Sequence, residues 1–302
     1  MGGFLIKSLY FSIDPSLRSR LGLVFQEGET IFNWGIGVVL RSEHPEVKFG
    51  DRIEGVFNFE EYTIRYGMKG DTAAQCLTRV ENRHKLPWSV FVGAIGISGK
   101  TAYYGWKEFS HAKAGEVVYV STGAGAVGSI VIQLAKRDGL KVIASAGSEE
   151  KVKLLKDIGV DVAFNYKTTK TSDVLQKEGP IDIYWDNVGG EMLESSLDAS
   201  SNGARIIICG AISGYNSGNA QPIRNLVQLI YKSITLYGLY VYEYDHKYRE
   251  EFYQVMPDLI AKGEIKYAED VTIGLEKVGE TILAQQKGLN TGKSIIKVTE
   301  TE

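Results

Sequence analysis

From about residue 115 onward, the apolar and polar positions of the chain switch between two periods. Residues 116–121 read as a strand of the buried type. Residues 126–138 then place Val127, Ile130, Val131, Leu134 and Ala135 on one helical stripe. Gly139 stops that helix, as glycines just past a helix end do. Residues 141–146 form a second apolar strand. Ser148 suits a helix N-cap, and Glu149 and Glu150 suit the first turn after it. Val152, Leu155 and Ile158 continue a helical face that Gly159 ends. Further strands are predicted at 160–166, 181–187, 205–210 and 234–241, with helices at 171–178, 192–200 and 223–232. Strands alternating with helices predict a parallel sheet covered on both faces. Right-handed crossovers then make the fold α/β and doubly wound.

The flanks differ. The first ninety residues read as short strands and turns, for example at 36–40, 51–56 and 61–64. Glycines and prolines separate them, which predicts an all-β or barrel-like unit. After about His246 a helix runs to Lys262, with Pro257 as a kink point. A strand, a helix at 275–286 and a last strand at 294–298 follow. This tail is expected to return to the N-terminal unit.

Composition narrows the function classes. A chain of 302 residues suits two domains, or one domain with a split partner. A net charge of −3 gives no electrostatic reason to bind nucleic acid or an anionic membrane. Two distant cysteines, Cys76 and Cys209, exclude a disulfide framework and a cysteine-rich zinc lobe. A cytoplasmic setting is expected. The start lacks a secretory pattern, and no apolar run nears the ~20 residues that span a bilayer.

The sharpest motif is G-x-G-x-x-G at residues 123–128: Gly123, Gly125, Ala126, Val127 and Gly128 with Ala124 between the first two glycines. It follows a predicted strand and opens a predicted helix, the context in which it cradles a dinucleotide pyrophosphate. The first glycine allows the turn, the second close backbone approach, and the third helix–strand packing. Enzymes that use NAD place an acid at the end of the second strand, some twenty residues on. Ala146, Gly147 and Ser148 stand there, with no carboxylate, and Lys151 follows one turn later. A 2′-phosphate is welcomed by such a set, so NADP(H) is expected rather than NAD(H). The four histidines are scattered, and no H-E-x-x-H or C-x-x-C occurs. No metal site is expected, since a catalytic zinc needs about three converging ligands. Metal-free hydride transfer then needs another electrophile, such as a tyrosine or ribose hydroxyl or backbone N–H groups.

These residues, with others, resemble the zinc-independent medium-chain dehydrogenase/reductases. The likeness is to the leukotriene B4 12-hydroxydehydrogenase, prostaglandin reductase and alkenal double-bond reductase family. It rests on residues 10–18, 101–103, 120–128, 146–148 with Lys151, 163–167, 186–190, 209–216 and 290–293. Asn33 and Trp34 stand where zinc-dependent relatives carry a His-Glu pair.

The resemblance implies a Rossmann domain at 93–246 and a GroES-like substrate domain from 1–92 and 247–302. That second domain is expected to be N-terminally short, because family members carry a further stretch before residue 9. Ser148, Lys151 and Tyr166 would hold the 2′-phosphate of NADPH. Gly125 to Gly128 would cover the pyrophosphate, and Asn187 and Asn290 the ribose–nicotinamide half. Tyr215 would stand near the nicotinamide and the substrate carbonyl. Trp34, Tyr240 and Tyr242 would line an apolar cleft. The implied reaction is reduction of the C=C bond of an α,β-unsaturated aldehyde or ketone. A quinone reductase, an NADP alcohol dehydrogenase and a non-catalytic NADPH-binding protein stay open as alternatives. The strand at 234–241 would lie at a sheet edge and pair across a homodimer.

Overall fold

The computed structural model describes residues 2–70, 76–216 and 222–300. In chain order the elements begin with β1 (Phe4–Ser12), α1 (Ser16–Arg20), β2 (Phe32–Ser42), β3 (Arg52–Asn58), β4 (Tyr62–Arg65) and β5 (Thr78–Val80). Then come α2 (Ile97–Phe109), β6 (Val117–Val120), α3 (Gly128–Arg137), β7 (Lys141–Ala146), α4 (Glu149–Asp157) and β8 (Val162–Asn165). They continue through α5 (Thr171–Glu178), β9 (Ile181–Asp186), α6 (Gly190–Ala199), β10 (Ser200–Ile208), α7 (Gln228–Tyr231) and β11 (Thr235–Gly238). The last are α8 (Asp245–Ala261), β12 (Glu269–Ile273), α9 (Val278–Gln286) and β13 (Lys293–Lys297). Among the described residues no helix is long and apolar enough to cross a membrane.

The chain divides into two compact units. One holds Met1–Lys100, Asp245–Glu264 and Ala268–Glu302; the other holds Thr101–Tyr244 and Ile265–Tyr267. In the second unit six strands lie in the order β11-β10-β9-β6-β7-β8. Every pairing in it is parallel. The order steps outward from β6 in both directions, so the sheet is doubly wound and changes direction between β6 and β9. β6, β7 and β9 are buried along almost their whole length, as strands of a parallel sheet covered on both faces are. Tyr119, Ile143, Tyr184, Leu197 and Ile206 form one of its buried clusters. The glycine stops hold: Gly139 and Gly159 take φ of +81° and +91°, which side-chain-bearing residues rarely adopt.

In the first unit β1 pairs antiparallel with β2, with β4 and, at its far end, with β13. β12 joins β13 in parallel. The C-terminal strands thus complete the N-terminal sheet. Phe4, Ile6, Phe11, Ile53, Phe57 and Ile296 share its core.

Three local readings need correction. The first ninety residues contain α1 as well as strands. The helix expected over 223–232 shrinks to α7. There the Arg224 N–H donates to Glu194 Oε1 at 2.6 Å and Asn225 Nδ2 to the Glu194 carbonyl at 2.8 Å. Those bonds tie residues 224 and 225 to α6 and compete with helical pairing. The strand expected over 234–241 is only β11, because residues 241–244 wind into a 3-10 turn.

A buried polar knot closes β1 onto β13. Lys293 Nζ lies 2.5 Å from Asp14 Oδ1 and donates to the Ile13 carbonyl at 2.9 Å. Asn33 Nδ2 donates to Asp14 Oδ2 at 2.8 Å and to the Ser12 carbonyl at 2.7 Å. Burial alone would raise the Asp14 carboxyl, but the Lys293 ammonium, Ser12 and Asn33 together hold it below the usual range. A depressed carboxyl contributes stability above its unfolded value, and that stability is lost as pH falls through the folded value. At neutral pH the full contribution is present. Asp14→Ala leaves Lys293 buried without its counter-charge and should cost about 3–5 kcal/mol in urea unfolding at pH 7. A loss under about 1 kcal/mol would show the knot to be incidental.

Candidate functional site

The glycine motif forms the turn between β6 and α3. Its left-handed residue is Thr122, at φ +52°, one position ahead of the first glycine. Gly123 is required for packing instead. A Cβ there would meet Ile132 Cδ1 and Leu155 Cδ2 at 2.9 Å and Ala144 Cβ at 3.0 Å. A Cβ on Gly128 would lie 2.7 Å from the Thr122 carbonyl oxygen and 3.0 Å from Gly123 Cα. At Gly125 the nearest atom would be the Thr122 oxygen at 3.2 Å. The helix opens at Gly128 rather than at Ala126, with Val127 as its N-cap. The Gly125 carbonyl already accepts from the Ser129 N–H at 3.0 Å, so residues 126 and 127 are a helical lead-in. Amides at such a helix start face an anion.

The end of β7 carries the second group. Ser148 N-caps α4, its Oγ accepting from the Lys151 N–H at 3.3 Å. Tyr166 follows β8, and its N–H donates to the Ala146 carbonyl at 3.1 Å. A Cβ on Gly147 would come within 2.9 Å of Tyr166 Oη, so a side chain at 147 would displace that ring. Glu149 is restrained: Asn165 Nδ2 donates to its Oε1 at 2.8 Å. Asn165 is a residue the motif reading missed. Its signal was an asparagine at a strand end, where its own carbonyl accepts from the Thr168 and Thr169 N–H groups.

Asn187 leaves β9 into the third group. Its Nδ2 donates to the Ser121 carbonyl at 2.6 Å and its N–H to Ser121 Oγ at 3.0 Å. Ser121 was not singled out from the pattern, yet it ties the ends of β6 and β9 together. Beneath it Asp186 is fully buried. Its Oδ1 accepts from Tyr184 Oη at 2.7 Å and from the Val188 and Gly189 N–H groups at 2.8 Å. Burial raises the Asp186 carboxyl, and those donors oppose the rise.

Tyr215 closes a short 3-10 turn, Ile212–Gly214, after β10. Its Oη accepts from the Ala211 N–H at 3.3 Å, which turns the ring back toward its own loop. Gly123, Gly125, Ala126, Val127, Gly128, Gly147, Ser148, Lys151, Tyr166, Asn187 and Tyr215 all belong to the second unit. Asn290 belongs to the first, where its Nδ2 donates to the Gly292 carbonyl at 2.9 Å.

The pattern of the Zinc-binding dehydrogenase family matches residues 126–262. A zinc-type alcohol dehydrogenase-like protein of Schizosaccharomyces pombe is 39% identical, covering 98% of this chain and 86% of its own. The NADP(+)-dependent 2-alkenal reductase of Nicotiana tabacum is also 39% identical, over 97% of this chain and 87% of its own. The chain belongs to the zinc-independent medium-chain dehydrogenase/reductases. Among solved structures, CurA of Vibrio vulnificus in complex with NADPH superposes with a TM-score of 0.85 at 30% identity. That match covers 99% of this chain and 90% of CurA.

Asn33 and Trp34 are both buried on β2. Asn33 is committed to the polar knot with Asp14. Among the described residues no group of three or more His, Cys, Asp or Glu side chains is gathered to hold a metal ion. Trp34 lies in the first unit, whereas Tyr240 and Tyr242 form an edge-to-face pair at 5.3 Å in the second.

Proposed function

We propose that this chain is an NADPH-dependent reductase of the C=C bond of α,β-unsaturated aldehydes and ketones. The observation that carries the cofactor choice is the carboxylate-free end of β7, with the nearest acid, Glu149, tied to Asn165. The likeness to the tobacco 2-alkenal reductase carries the reaction class.

The residues fit such a cofactor. Ser148 accepts a backbone proton and keeps its own hydroxyl proton to donate to a phosphate oxygen. Lys151 and Tyr166 supply the charge and a second hydroxyl. Gly125, Ala126, Val127 and Gly128 present the helix start to the pyrophosphate. Asn187 and Asn290 orient the ribose–nicotinamide half. NADPH, when bound, supplies the hydride that reduces the β-carbon. The Tyr215 hydroxyl donates to the carbonyl oxygen, where enolate charge collects. A hydroxyl or water then delivers the proton to the α-carbon.

We assign residues 93–246 to the cofactor domain and 1–92 with 247–302 to the substrate domain; the compact units divide instead after Lys100 and before Asp245. The setting is cytoplasmic. The chain is a homodimer paired through β11, which supports this by lying at its sheet's edge with Leu236 exposed. A monomer in light scattering would refute the dimer.

The function is tested by following NADPH absorbance with short enals, aryl enones, quinones and simple aldehydes. Enals and enones should turn over, with NADPH preferred to NADH. Lys151→Ala should narrow that preference about tenfold, the loss of one charged hydrogen bond. Turnover of quinones or simple aldehydes without enones would reassign the reaction.

A further inference from the structure

The chain leaves the first unit after Lys100, in the first turn of α2, and returns at Asp245, the first residue of α8. These two points are 145 residues apart in sequence, yet one buried cluster of the first unit binds both. Lys100 is 2% exposed. Its Nζ lies 3.1 Å from Glu54 Oε1 on β3 and 3.5 Å from Asp245 Oδ1. The same ammonium sits 4.7 Å from the centre of the Trp34 ring and 5.0 Å from that of Tyr253. Tyr253, on α8, donates its hydroxyl to Glu54 Oε1. Arg249 Nη1 is 3.2 Å from Asp245 Oδ2 and completes the charge balance of two cations and two carboxylates. Packing brings the two helices just as close: a Cβ on Gly99 would stand 3.2 Å from Phe252 Cζ and 1.8 Å from the Ala94 carbonyl oxygen.

We propose that Lys100, Glu54, Asp245 and Tyr253 form an electrostatic clamp that fixes the two ends of the Thr101–Tyr244 segment to β3 as one tether. Stability alone does not account for the cluster. Replacing a buried ion pair by apolar side chains is often neutral or stabilising. Here Glu54 is fully buried and its Oε2 has no hydrogen-bond partner among the described residues. Burial pushes the Glu54 carboxyl up, with the Lys100 ammonium opposing it. The arrangement is costly in the way positioning charges are, and what it positions are the crossings at Lys100 and Asp245. The clamp predicts coupled behaviour: losing Lys100 frees residues near 100 and near 245 together. It rests on the proposed function only where turnover is concerned.

The test is hydrogen–deuterium exchange on the full chain, comparing wild type with Lys100→Met, Lys100→Arg and the neutral pair Lys100→Met/Glu54→Leu. In Lys100→Met, exchange should rise about tenfold both at 97–104 and at 245–252, with α3 unchanged. Lys100→Arg should restore most of the protection. The neutral pair should recover the wild-type melting temperature and still exchange fast at both segments. That outcome separates a clamp from a merely structural pair. Wild-type exchange at 245–252 in Lys100→Met, or full protection of both segments in the neutral pair, would overturn the clamp. Absence of enone turnover in the wild type would instead overturn the functional reading and leave the exchange result standing.

Discussion

Tyr215→Phe should lower kcat for an α,β-unsaturated ketone by about 100-fold, the usual loss when one donor to a developing oxyanion is removed. NADPH affinity should change less than about threefold, because the phenol is assigned to the carbonyl oxygen and not to the phosphates. The fold should hold. The hydroxyl makes one long bond, accepting from the Ala211 N–H at 3.3 Å, worth about 1 kcal/mol at most. kcat and kcat/KM should fall together, since the interaction forms only as charge reaches the oxygen. Steady-state kinetics with calorimetric NADPH binding read both quantities. Unchanged turnover would remove Tyr215 from the mechanism and leave a ribose hydroxyl or a backbone N–H as the donor.

What the chain disclosed in advance follows the range of each interaction. β6, β7 and β9 were legible because strands buried on both faces carry continuous apolar runs. The glycine turn was legible because a tight turn and a close helix approach both demand glycine at fixed spacing. Even so, the reason for each glycine was only partly readable. Gly123 is small because Ile132 and Leu155 close over it, and Thr122 takes the left-handed conformation. α7 fell short because Glu194, some thirty residues earlier, claims Arg224 and Asn225, and β11 because residues 241–244 wind into a 3-10 turn. The Lys100–Glu54 contact spans 46 positions and Tyr253–Glu54 spans 199, so no local period could reveal them. The same holds for Lys293 and Asp14, 279 positions apart. Local propensity and spacing found the glycine turn between β6 and α3. Contacts across the chain decide the polar knot and the clamp.

Gly128→Ala and Gly125→Ala should separate the architecture of the cradle from its contact with the cofactor. The Cβ of Gly128→Ala meets only backbone: the Thr122 oxygen at 2.7 Å, Gly123 Cα at 3.0 Å and Gly123 C at 3.3 Å. No side chain can rotate away, so the turn itself must shift. Overpacking of this kind costs about 1–3 kcal/mol. The displaced turn should also weaken NADPH binding by about tenfold or more, because backbone N–H bonds to an anion depend on alignment. Gly125→Ala is milder, with its closest neighbour at 3.2 Å and the next, Thr122 Cγ2, at 3.5 Å. Its melting temperature should stay within a few degrees of wild type. If the backbone of residue 125 lies against the pyrophosphate, the added methyl blocks that approach, and NADPH affinity falls by a similar factor without loss of fold. Thermal melts in the absence of nucleotide read the first effect and calorimetry the second. Wild-type affinity in Gly125→Ala would mean that the turn is shaped for packing alone and the phosphates lie elsewhere.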